Sequence, residues 1–294
     1  MRELSASASA TQISVHAAAK INLFLNVTGR REDGYHELDS LVGFTAIGDR
    51  LTVDACEKIT FSIDGPFGQG LPLNDDNLVL AAAWMLAEEA GYQGGAAITL
   101  QKNLPVSSGI GGGSADAAAT LQALNRLWGV GVSREMLAKI GLRLGADVPV
   151  CLRSKTARMS GIGEIIRPME PLPPLGVLLV NPGAAVSTPQ VFKARKGSFS
   201  SPVDGSIPRD GKGLCEFLAL QQNDLEVPAI ELAPEIATVL QTLSGLEGCR
   251  LSRLSGSGAT CFGLFDDEAA AATARDAVSA SHTDWWTQAT HFLD

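Results

Sequence analysis

The residues of this chain best suited to chemistry form one run, Pro105-Val106-Ser107-Ser108-Gly109-Ile110-Gly111-Gly112-Gly113-Ser114-Ala115, which passes directly into an alanine-rich segment. Ala117, Leu121, Leu124 and Trp128 fall on one face at helical spacing, so a helix is expected there. Ser114 is expected as its N-cap, and Asp116 in its first turn would complement the helix dipole. A glycine loop feeding a helix N-terminus suits phosphate. Its backbone N–H groups are free, no Cβ blocks approach, and the dipole favours negative charge. The run is therefore expected to hold a nucleoside triphosphate. It is no Walker loop, because no lysine precedes Ser114. Ser114 also stands where a dinucleotide fingerprint needs glycine, and the His-Arg-Asp and Asp-Phe-Gly triplets of protein kinases are absent.

Phosphoryl transfer to an alcohol needs a base and a cation beside such a cradle. Asp147 stands between a helix stop at Gly145 and an apolar stretch; it reads either as a base or as a turn aspartate bonded to its own backbone. Lys20 stands where an alanine run meets a strand, with no other charge beside it. It reads either as the partner of that base or as a solvated strand-edge lysine.

The loop pattern resembles the phosphate-binding motif of the GHMP kinases, which phosphorylate small molecules with ATP. The resemblance extends to Ala18–Leu25, Gly29–His36, Asp76-Asn77-Leu78, Leu144–Val150, Gly161–Glu164, Thr188-Pro189, Phe192-Lys193, Asn223-Asp224 and Leu254–Ala259. It covers nearly the whole chain and is strongest toward members whose acceptor is a cytidine diphosphate conjugate of a methylated tetritol. It implies an α+β, two-domain fold with the active site in the interdomain cleft. Residues 1–162 would form an ATP-binding domain and 163–294 a substrate-side domain.

The resemblance further implies transfer from ATP, with Mg2+, to the 2-hydroxyl of that tetritol in non-mevalonate isoprenoid synthesis. It makes Asp147 the catalytic base and Lys20 its orienting cation. Pro105, Gly109, Ile110, Gly111, Gly112, Gly113, Ser114 and Ala115 would bind ATP, with Lys102 and Asn77 near the nucleotide. Asn22, Tyr35, His36, Thr188 and Phe192 would surround the cytidine diphosphate part. There Tyr35 and Phe192 could sandwich the base and His36 could bond its polar edge. The turn Gly256-Ser257-Gly258 matches the family's third motif, where glycine lets backbone approach a ligand. A kinase for another alcohol, such as homoserine or mevalonate, and a catalytically idle nucleotide-binding regulator are the alternatives. The Pro105–Ser108 opening and the polar stretch from Ala194 to Gly213 depart from the family's pattern.

These residues must be held by a scaffold of both structure types. Alternation over Ile21–Val27 predicts a strand, with further strands over 38–44, 49–54, 58–63, 96–101 and 175–180, and a hairpin over 251–265. Helices are expected after Asn77 (with Leu80, Trp84 and Ala87 inward), after Ser133 and after Pro234, and near 268–280. The helix after Ser133 is expected to stop at Gly145, with Pro149 preventing any continuation.

The chain has 294 residues, enough for two subdomains around a cleft, with 45% hydrophobic and 5% aromatic content. Its formal charge of -9 argues against a general nucleic-acid binder. No apolar run approaches ~18 residues, so no membrane span is expected. The opening Met1–Ala10 lacks a signal peptide's apolar core and reads as a frayed leader. Five scattered cysteines without metal-ligand spacing fit a reduced, cytoplasmic protein.

Overall fold

In this computed structural model, which describes residues 12–293, the first two strands run much longer than their alternation implies. The leader expected over residues 1–10 lies outside the described residues. β1 (Ile13–Arg30) and β2 (His36–Cys56) pair antiparallel across the Asp33-Gly34 turn, so the strands expected over 38–44 and 49–54 are one. Their register shifts between Ala18 and Lys20, an irregularity of the kind that re-aims a side chain.

The chain continues through β3 (Thr60–Asp64), α1 (Leu78–Ala90), β4 (Gly95–Gln101), α2 (Gly112–Leu127), α3 (Arg134–Leu144) and α4 (Val148–Cys151). Then come β5 (Ala157–Gly161), β6 (Ile165–Pro168), β7 (Gly176–Asn181), α5 (Thr188–Ala194), α6 (Gly211–Ala219), α7 (Glu226–Leu232) and α8 (Glu235–Ser244). β8 (Leu251–Leu254), β9 (Cys261–Phe265), α9 (Glu268–Ser281) and β10 (Trp286–His291) complete it. The larger sheet has the order β3-β4-β2-β5-β6, with β1 on β2, and the smaller one β10-β7-β9-β8. Among the described residues β3–β4 is the only parallel pair of strands, beside one isolated parallel bridge between Leu25 and Asn223. The fold is α+β, as expected.

Helix boundaries follow the caps in most places. Asn77 caps α1 by accepting from Val79 N, Gly91 closes it in the left-handed region, and Ser133 caps α3 by accepting from Met136 N. One expectation is corrected. Leu80 and Ala87 are buried as expected, but Trp84 is 49% exposed, because α1 turns Val79, Ala82, Ala83 and Leu86 into the core. α3 stops at Gly145 as expected, and Pro149 lies in the first turn of the separate short helix α4, where proline's fixed φ fits.

The interior has three parts, and β1 serves all of them. Ala17 and Ala18 join Phe44, Leu51, Ile98 and Leu121 between the larger sheet and α1–α4. Leu25 and Val27 join Val180, Ile236 and Phe265 around the smaller sheet. Ile21, Leu23 and Phe24 meet Val177, Leu179 and Phe262 between the two. Burial contributes roughly 1.5–3 kcal/mol for each large apolar side chain, so this shared strand fixes one half of the molecule against the other. A backbone bond from Leu25 N to Gln222 O reinforces the junction.

Candidate active site

The glycine loop begins its helix earlier than its side chains suggest. Gly111 occupies the left-handed region (φ 66) as the N-cap of α2, so Ser114 is the third helical residue and not the cap. Asp116 accordingly lies beyond the first turn. Ala115 N is the amide that closes back onto Gly111 O, at 2.8 Å, which leaves the Gly112, Gly113 and Ser114 amides without helical partners. All three residues line the cleft.

A second segment fixes the loop from the far side. A Cβ on Gly109 would collide with the Ser255 carbonyl, so only glycine fits there. Ser255 Oγ donates to Gly109 O at 3.0 Å, and Thr260 N donates to Ser108 O at 3.0 Å. The turn between β8 and β9 thus shapes the loop. Gly256 and Ser257 line the cleft, whereas Gly258 does not and serves the turn itself. Ile110 and Ala115 are buried behind the loop, and Ile110 O accepts from Lys20 N at 2.9 Å.

That backbone bond delivers Lys20 to the cleft. Its Nζ donates to Asp147 Oδ2 and to Asn22 Oδ1, both at 2.8 Å. Asn22 in turn donates to Ser40 Oγ at 2.8 Å, so both ends of its side chain are engaged inside the protein. Lys20 is buried, not a solvated strand-edge residue. Asp147 makes no capping hydrogen bond to its own turn, and its side chain is 33% exposed toward the cleft. The pair flanks the loop: a Cβ on Gly111 would lie 3.3 Å from the Lys20 side chain and 4.0 Å from Asp147 Oδ2.

Lys102 also lines the cleft, but its ammonium is held from within the protein. It is buried, and its ammonium bonds Asp49 Oδ2 at 2.5 Å and Asp116 Oδ2 at 2.6 Å. Asn77 lines the cleft while its side chain caps α1, and Pro105 lines it beside the loop. Among the described residues no group of three His, Cys, Asp or Glu side chains could cage a metal.

The opposite wall carries aromatic and basic groups. His36 and Phe192 stack on each other at 5.0 Å and 22°, and both line the cleft. Tyr35 is exposed at the mouth, and Thr188 Oγ1 lies 2.7 Å from Ser257 Oγ. Burial, followed by the positive charges of Arg30 and Arg195, lowers the His36 pKa below the usual 6.5 and favours neutral imidazole at pH 7. Sequence reasoning assigned nothing to Arg30, Lys193 or Arg195, which also line this wall. The neighbours Tyr35, His36 and Phe192 were the available signal. The cavity measures about 1410 Å³, larger than the ~300–1,000 Å³ common for a single ligand.

Residues 77–155 match the family model described as GHMP kinases N terminal domain, and residues 206–284 that described as GHMP kinases C terminal. The 4-diphosphocytidyl-2-C-methyl-D-erythritol kinase of Paramagnetospirillum magneticum is 50% identical over 278 residues, covering 94% of this chain and 97% of its own. The chain belongs to the GHMP kinases. That of Rhodospirillum rubrum is 49% identical to this kinase over 279 residues, covering 94% and 91%. A crystal structure of 4-(cytidine 5'-diphospho)-2C-methyl-D-erythritol kinase matches the kinase with a TM-score of 0.81 at 35% identity, covering 96% of this chain and 100% of its own. Homoserine kinase from Cytophaga hutchinsonii, at 17% identity and a TM-score of 0.71 over 99% and 97%, shares the fold. The kinase therefore acts on a small molecule and uses ATP. Among the described residues it has no helix long and apolar enough to cross a membrane.

Proposed function

We propose that this kinase transfers the γ-phosphoryl group of ATP to the 2-hydroxyl of 4-diphosphocytidyl-2-C-methyl-D-erythritol, a step of non-mevalonate isoprenoid synthesis. The observation that carries the reading is the Lys20–Asp147 pair beside an amide cradle, in a chain half identical to proteins of that name.

Asp147 takes the proton of the acceptor hydroxyl as its oxygen attacks the γ-phosphorus. The bond to the bridging oxygen breaks and ADP leaves. Lys20 orients the carboxylate and offsets negative charge on the transferring group, while Asn22 and Ser40 hold Lys20. The Gly112, Gly113 and Ser114 amides hold phosphate oxygens, with Asn77 and Pro105 on the nucleotide side. Magnesium, when bound with the nucleotide, would neutralise charge on the phosphates.

On the acceptor side, Tyr35 and Phe192 supply π-faces, His36 bonds the base's polar edge, and Thr188 and Ser257 form the neighbouring wall. In functional terms, residues 1–162 carry the phosphate cradle and 163–294 complete the acceptor wall. The test is an ADP-release assay of the purified kinase with cytidylated methylerythritol, homoserine and mevalonate. Turnover with the first alone is expected. Preference for either other alcohol, or no turnover, would reject this substrate.

A further inference from the structure

Beneath the phosphate loop lies a buried charge cluster to which the proposed reaction assigns no task. Asp49 on β2, Lys102 just past β4 and Asp116 on α2 are each under 5% exposed. One ammonium serves two carboxylates, at 2.5 and 2.6 Å. Asp49 is fully engaged: its Oδ1 accepts from Asn103 N at 2.6 Å and from Leu104 N at 2.9 Å, the amides just ahead of the loop. Asp116 is not. Its Oδ1 is buried and has no hydrogen-bond partner among the described residues. The cluster thus ties the entrance of the loop to the helix that follows, and it leaves one carboxylate oxygen uncompensated. It lies directly under the cradle, because a Cβ on Gly112 would be 3.2 Å from Lys102 Nζ.

The surroundings of Asp116 offer no other compensation. β2 presents Asp49, and Lys102 follows β4. α4 presents the Cys151 thiol, whose pKa burial pushes well up, so it stays neutral. At the start of α4 Asp147 is already paired with Lys20 of β1, and the α1 face that packs here is apolar. With both carboxylates ionised the cluster carries one net negative charge. Burial pushes the Asp116 pKa up to about 7, with Asp49 adding and Lys102 opposing. Burial would lower the Lys102 pKa, but Asp116 and Asp49 hold it above its usual value.

We propose that Asp116 is a positioning residue of the phosphate loop and that nucleotide binding is coupled to its protonation. When triphosphate charge arrives over Gly112, Asp116 takes one proton from solvent and the cluster becomes neutral. This rests on the reading that the loop holds ATP phosphates. A carboxylate that merely braced the loop would hold it equally at every pH. A coupled one makes affinity fall as pH rises through about 7, by at most tenfold per pH unit for one proton.

The test is calorimetric titration of the kinase with the magnesium complex of a non-hydrolysable ATP analogue, near pH 7.5, in two buffers of different ionisation heat. The wild type is expected to take up a fraction of a proton per nucleotide bound. Asp116→Asn, close in shape, is expected to bind with that uptake lost and with affinity flat from about pH 6 to 8. In the wild type itself, an infrared difference spectrum should gain a protonated-carboxyl band on adding the analogue. Binding without proton uptake, equal uptake in the variant, or no such band would overturn the coupling and leave the phosphate-loop reading standing. No binding at all would overturn both.

Discussion

Asp147 Oδ2 lies 2.8 Å from Lys20 Nζ, although the two residues stand 127 positions apart in the chain. α4 brings the carboxylate and β1 brings the ammonium, and neither element places a further ionic partner on them. The contact therefore serves the cleft. Asp147→Asn is expected to lower turnover by about 10²–10⁴-fold, the range for loss of a general base, while nucleotide binding persists. Steady-state rates and analogue titration on the same preparation check it. An unchanged rate would remove Asp147 from the role of base.

Lys20→Met keeps the aliphatic stem and deletes the charge. It leaves Asn22 Oδ1 without its donor and Asp147 without its cation. A fall in kcat of about 10²–10³-fold is expected, as for other lost electrostatic donors. Lys20→Arg should not restore it, since a planar guanidinium does not fit a site built for a compact ammonium. Full activity in the arginine variant would contradict the geometry.

Gly111→Ala tests the cradle. Its φ of +66 already disfavours a side chain, and the new Cβ would press within 3.3 Å of Lys20. Gly70→Ala is the control, with φ +81 and nothing within 4 Å. Both should lose stability by roughly 1–2 kcal/mol from the left-handed backbone. The Gly111 variant alone should also lose turnover, by about tenfold or more, because the reacting groups move. Matched kinetics in the two variants would mean that strain, not the approach to Lys20, governs this position.

Phe192→Ala removes the ring that stacks on His36. Base stacking on an aromatic ring is worth about 1–3 kcal/mol, so the acceptor KM should rise roughly 5–150-fold. The KM for ATP should stay put. Measuring both constants in one experiment separates a local loss from general damage.

Asp116 predicts a slope in stability. Its carboxyl titrates near 7 in the folded protein and near 3.8 when unfolded. Between those values the folded state holds the extra proton, so this residue's contribution to stability falls as pH rises from about 4 to 7 and then levels. Denaturant unfolding at several pH values should show Asp116→Asn losing that component of the slope. A variant curve parallel to the wild type over this range would contradict the shift.

Much of the site was legible because phosphate loops need glycine and because Lys20 follows an alanine run with no other charge beside it. The helix start was not. Either Gly111 or Ser114 could open a helix by composition, and only the left-handed backbone at Gly111 decides. Asp49 also escaped, since a carboxylate on an alternating strand reads as solvated, while its amide partners at Asn103 and Leu104 lie 54 and 55 residues away. The polar stretch from Ala194 to Gly213 looked featureless for the same reason. It contains buried Val203, whose N donates to Asp39 Oδ2 at 2.7 Å, across 164 residues. Short-range patterns carry the elements; partners far along the chain decide which polar residues are structural.

A strand that belongs to three interiors at once makes this kinase poor material for module shuffling. A chimera joined at residue 162 would set Ile21, Leu23 and Phe24 from one parent against Val177, Leu179 and Phe262 from another. Those six side chains fit as one set, so exchange between distant relatives has to carry both groups together.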